Sequence, residues 1–152
     1  MILRVMVIMC ATVAACAPAD RITDRRAMVL EGDWRLELHD ESSPQGSPST
    51  GRMALVAVRH AVGPIRADDQ SLAAGAVSMD AGALEQRVAD GTRVAVEGAG
   101  ADSVTIRFSG THGEFSVVLS GVLRGDTVSG EWRSVLSRSQ GSGGRFRMTR
   151  RR

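Results

Sequence analysis

The chain has 152 residues, 43% hydrophobic and 24% charged, which fits one globular domain with its own core and argues against wholesale disorder. Its 19 basic residues, all Arg, face 17 acidic ones for a net charge of +2, a surplus too small to make a basic face. Aromatics amount to 3%, with no Tyr, too few for a base-stacking platform, so nucleic acid is not an expected partner.

Residues 1–15, MILRVMVIMCATVAA, carry one positive charge, Arg4, followed by eleven uncharged residues at 5–15. That is the length of the apolar region of an export signal and well short of the roughly 20 residues a membrane-spanning helix needs. Val13-Ala14-Ala15-Cys16 resembles a bacterial lipobox: an aliphatic residue, two small ones, then cysteine. The resemblance implies a diacylglyceryl group on the Cys16 thiol, cleavage before Cys16, and acylation of the new amino group. Two other cuts are open. Ala15-Cys16-Ala17 fits the small-x-small pattern of ordinary signal peptidase, although Pro18 would follow the cut; Ile8-Met9-Cys10 is a second lipobox-like run, with bulky Met9 where a small residue is wanted. With Cys10 removed, the mature chain keeps Cys16 alone, so neither a disulfide nor a cysteine metal site is expected. Two or three acyl chains anchor a protein stably where one does not. The expected partner is therefore a membrane, through the lipid, and the expected location is the periplasmic or outer face of a bacterial cell envelope.

Residues 17–31, APADRITDRRAMVLE, read as a polar tether leading into a short helical turn capped by Thr23, with Met28, Val29 and Leu30 packing inward. From Gly32 the apolar period changes to two. Residues 34–39, WRLELH, alternate without error; 40–51, DESSPQGSPSTG, read as loop. Residues 52–60 read as a strand apolar on both faces, with Met53, Leu55, Val56 and Val58. The stretch 61–92 carries the weakest signals: a short strand at 75–79 and a turn of helix at 83–90. Alternation returns at 93–97 and 104–108, then in a strand lined by Phe115, Val117 and Leu119 and another with Val128, Gly130 and Trp132. SGTHGE at 109–114 and the Ser/Gly run 137–144 read as loops, and RFRMTR at 145–150 closes the domain.

Strands spaced in this way and joined by Gly- and Asp-containing turns describe an all-β, antiparallel up-and-down meander. About eight strands with one apolar face leave edges exposed unless the sheet closes into a barrel. The expected organisation is a signal peptide at 1–15, lipidated Cys16 and tether at 16–31, and a β-barrel at 32–150.

Gly32-Asp33-Trp34 at the head of the first strand resembles the G-x-W signature of the calycin group, which includes lipocalins, fatty-acid-binding proteins and avidins. The later GVLRGDTVSGEW and GGRFRMTRR are similar to the hairpin and closing strand of small lipocalin-like bacterial lipoproteins. The resemblance spans about 32–150. It implies a lipocalin-like barrel in which Trp34 sits at the closed end beside an Arg of the last strand; Arg145, Arg147 and Arg150 are the candidates. The sequence departs from the pattern in lacking a helix after the barrel, a disulfide, and the Arg-x-Tyr pair with which many fatty-acid-binding proteins hold a carboxylate.

Other motifs have plain explanations. Arg124-Gly125-Asp126 matches an adhesion tripeptide but is accounted for by a tight hairpin turn. His39, His60 and His112 lie far apart with no second ligand at i+2 or i+4, so no metal site is expected. No nucleophile elbow, phosphate-binding loop or dinucleotide fingerprint occurs, and neither catalysis nor a cofactor is expected. Asp68-Asp69 reads as a solvated pair, and Gly141–Gly144 lacks a following helix to aim at a phosphate. Arg150-Arg151-Arg152 reads as a solvated terminus that, on a tethered protein, also lies within reach of anionic head groups.

The expected inward set is Trp34, Leu36, Leu38, Val104, Ile106, Phe108, Phe115, Val117, Leu119, Val128, Trp132, Phe146 and Met148. Two functional readings follow. In the first, an envelope lipoprotein binds a small hydrophobic ligand within this lining; in the second, the barrel is dry and serves as a structural or protein-interaction module. An eight-stranded barrel accommodates either.

Overall fold

The computed structural model describes residues 27–43, 45–58, 71–98, 102–110, 115–136 and 141–152. Eight strands follow a one-turn helix at residues 27–30: β1 (Gly32–Asp40), β2 (Ser49–Ala57), β3 (Ser71–Ala81), β4 (Thr92–Gly98), β5 (Ser103–Ser109), β6 (Phe115–Arg124), β7 (Thr127–Leu136) and β8 (Gly143–Arg150). Each strand pairs antiparallel with its sequence neighbours, and β1 pairs with β8, closing the barrel in the order β1 to β8. The alternation forces this result. An open meander leaves two edges of unpaired backbone groups and an uncovered apolar face; closure removes both.

Register makes the alternation effective. Trp34, Leu36 and Leu38 of β1 oppose Met53, Gly51 and Ser49 of β2 and Arg150, Met148 and Phe146 of β8. Since the side-chain period is two, these matched rungs point together into the barrel while Arg35, Glu37 and His39 point out. All thirteen expected inward side chains are buried. The lining is completed by Met53 and Leu55 of β2, Leu72, Ala73, Val77 and Met79 of β3, and Val94 and Val96 of β4.

Several segments differ from the sequence expectation. β2 starts at Ser49 rather than 52 and alternates strictly, with Val56 64% exposed and outward; pairing with β1 draws the last polar loop residues into the ladder. The short strand expected at 75–79 is the eleven-residue β3, whose Ala- and Gly-rich sequence has low strand propensity and is held by two flanking strands. Register shifts on both of its sides absorb extra residues, and one brings successive Leu72 and Ala73 inside. Residues 82–90 form a chain of turns rather than a helix, with one helix-type bond from Val88 N to Leu84 O at 3.0 Å. In the helical turn, Ala27 and Leu30 are buried while Met28 and Val29 are exposed, because residues three apart share a face and the two between them do not.

Turn chemistry sets the β6–β7 hairpin. Arg124 pairs with Thr127, leaving Gly125 and Asp126 as a two-residue connection. Gly125 has φ +58°, and among the described residues no non-glycine residue has positive φ, the pattern of a II′-type turn with glycine first. The tripeptide at 124–126 is thus a hairpin turn. Thr23, Cys16, His60, Asp68, Asp69 and His112 lie outside the described residues.

Candidate functional site

Three places on the barrel carry concentrated chemistry: the end where the chain enters, the interior, and the opposite mouth. At the entry end the helical turn at 27–30 needs partners for its last carbonyls, since helix termini leave these groups without intrahelical bonds. Trp34 and Arg150 supply them. Trp34 Nε1 donates to Leu30 O at 2.9 Å, and the Arg150 guanidinium donates to the carbonyls of Glu31 and Val29. Arg150 also lies 4.6 Å from the centroid of the Trp34 ring and pairs with Asp126 at 3.3 Å. Of the three arginines on the last strand, Arg150 therefore meets Trp34. Arg145 and Arg147 occupy outward positions opposite His39 and Glu37. Leu30 and Trp34 expose no surface, so this end is closed.

The interior is apolar and tightly filled. Trp34, Leu36, Val77, Val96, Ile106, Val117, Leu119, Val128 and Met148 each expose none of their surface. No water-sized void touches these side chains. Exposure of the lining is greatest toward the mouth, at 7% for Phe115 and 9% for Met79. Leu84 and Val88 from the turn segment at 82–90 join the same core cluster and cover that end.

The mouth is polar on one side. Near this end the inward positions are Asp40 on β1, Ser49 on β2 and Ser134 on β7, and Ser142 precedes β8 between β7 and β1. Ser134 Oγ donates to Ser142 O at 3.0 Å, and Trp132 Nε1 donates to His39 O at 2.9 Å. These groups line a recess of about 200 Å³ with Leu84 and Arg87. The Arg87 guanidinium sits 5.9 Å from the Phe115 ring centroid.

The outer wall carries exposed, mostly short-range pairs: Arg35–Glu37 at 3.2 Å, Arg52–Asp80 at 3.1 Å and Arg107–Glu97 at 3.6 Å. Pairs of this kind contribute about 0–1 kcal/mol each. Among the described residues, no three acidic, His or Cys side chains are grouped to hold a metal ion, and no helix is long and apolar enough to cross a membrane.

The structure therefore brings the named lining residues Trp34, Leu36, Leu38, Ile106, Phe108, Phe115, Val117, Leu119, Trp132, Phe146 and Met148 into one interior, while Cys16 falls outside the described residues. Sequence reasoning missed Leu84 and Val88, which sit in turns with no strand period, and Ser49 and Arg87 at the mouth. Alternation running back through STGRM at 49–53 is the one signal that points to Ser49. The closed, eight-stranded antiparallel barrel is compatible with a lipocalin-like barrel. The chain matches no protein-family model, and no curated protein matches it in sequence.

Proposed function

We propose that this protein is a lipid-anchored protein of the bacterial cell envelope whose barrel is a filled, non-catalytic structural or protein-interaction module. The observation that carries the barrel part is the burial of the lining: nine inward side chains expose no surface at all, and Leu84 and Val88 cover the mouth. A hydrophobic guest would have to displace close-packed side chains, which costs on the order of 1–3 kcal/mol or more for each mismatch. The lipid-anchor part rests on Val13-Ala14-Ala15-Cys16 behind a short apolar run.

The second reading, a carrier of a small hydrophobic molecule, draws on the wholly apolar interior and on its three methionines, Met53, Met79 and Met148, whose unbranched chains adapt to irregular guests. Titrating the purified protein with a hydrophobic fluorophore separates the two. The filled-barrel reading expects neither enhancement nor displaceable binding; saturable emission displaced by fatty acid overturns it in favour of the carrier. Crosslinking in cells that recovers one protein neighbour would give the module its partner.

A further inference from the structure

We propose that the barrel mouth binds a small zwitterion of the α-amino-acid class in the recess bounded by Asp40, Ser49 and Arg87, outside the sealed interior. At this rim the inward positions are polar on the adjacent strands β1 and β2, at Asp40 and Ser49, and on β7, which β8 separates from β1, at Ser134. On β3 and β6 the corresponding end stays apolar with Met79 and Phe115.

Ser49 is the informative residue. It is 8% exposed, it lines the recess, and its hydroxyl has no hydrogen-bond partner among the described residues. A buried hydroxyl left unpaired costs about 1–3 kcal/mol, so its retention points to a group that enters the recess from outside. Ser134, the other buried polar residue, is satisfied by Ser142 O and lacks this demand.

The charges define the class of guest. The Arg87 guanidinium has no acidic partner among the described residues and faces the Phe115 ring. A guanidinium presents a fork suited to a carboxylate. On the β1 wall, Asp40 Oδ1 accepts from Ser42 N at 2.8 Å and Ser42 Oγ at 2.6 Å, which fixes the carboxylate, while Oδ2, without a partner among the described residues, can accept from an ammonium. A dianion would meet repulsion from Asp40, and a cation repulsion from Arg87. A molecule carrying one charge of each sign meets both walls favourably, with the Ser49 hydroxyl and Leu84 lining the same recess. About 200 Å³ exceeds the roughly 30 Å³ of a single water several-fold and accommodates a small amino acid.

The test uses the full chain, purified in detergent and titrated with L-alanine while amide resonances are followed by two-dimensional NMR. The expected result is saturable shifts confined to the residues around the recess: Asp40, Ser49, Leu84, Arg87, Ser134, Ser142 and their chain neighbours. Binding should weaken roughly tenfold or more with alaninamide, which lacks the carboxylate, and with N-acetylalanine, which lacks the ammonium. Ser49→Ala and Arg87→Gln should each abolish the shifts while leaving the unfolding midpoint and the remaining spectrum unchanged. No saturable shift with L-alanine on the order of 10 mM, equal binding of all three compounds, or binding untouched in both variants overturns the proposal.

Discussion

The Arg150 guanidinium stacks 4.6 Å from the centre of the Trp34 ring while donating to the carbonyls of Val29 and Glu31. One side chain from the last strand thus fastens the first strand and the helical turn before it. Lysine keeps the charge but loses the planar fork and the stacking. Arg150→Lys should cost about 1–3 kcal/mol, and Arg150→Ala more, since the carbonyls and ring lose their partner together. Urea unfolding followed by circular dichroism measures both; a loss indistinguishable from zero in Arg150→Ala means the fastening is ornamental.

Gly32 belongs to the same latch. It holds φ +125°, and a Cβ there would lie 2.7 Å from Arg150 Nη1. Gly32→Ala should destabilise by about 1–3 kcal/mol through backbone strain and displacement of Arg150. Because both changes damage one contact, the double variant Gly32→Ala/Arg150→Ala should lose less than the sum of the singles. Strict additivity in a double-mutant cycle contradicts the shared contact.

Trp34 exposes no surface and bonds Leu30 O. Trp34→Ala should cost on the order of 3–5 kcal/mol, as deletion of a large buried aromatic does. Trp34→Phe keeps a ring and should cost less, although it leaves the Leu30 carbonyl unpaired. A drop below about 1 kcal/mol in Trp34→Ala would place the indole at the surface.

Leu84 reaches the core from a segment with little regular structure. Leu84→Ala should cost about 2–5 kcal/mol and uncover the mouth. The expected sign is new fluorescence from a hydrophobic dye that the parent protein does not bind. Unchanged stability and dye response would show that the mouth is covered without Leu84.

Cys16→Ala removes the thiol that the lipobox-like run presents. The variant should move from the membrane fraction to the soluble fraction and lose label from a clickable fatty acid. Persistence in the membrane fraction would remove the lipid anchor from the proposed function.

Much of the fold is legible in the chain because a two-residue apolar rhythm is a local signal. WRLEL, VTIRF and FRM state which side chains face inward before any contact is known, and closure follows from the cost of leaving an apolar face and two edges open. The same rhythm fails at β3, where Ala and Gly dilute it, and at 82–90, where Leu84 and Val88 are four apart in turns that only the barrel beneath them makes apolar.

What the amino-acid order settled unaided was thus the period, the number of strands and, outside β2 and β3, the faces they turn inward, since each depends on neighbours along one strand. Three-dimensional pairing alone decided that Arg150, rather than Arg145 or Arg147, meets Trp34, that β3 is eleven residues long, and that Asp40, Ser49 and Arg87 share one recess. The recess joins Arg87 to residues 38 and 47 positions before it, and the latch joins residues 116 apart, brought together by register across a closed sheet, and no local window of sequence contains them.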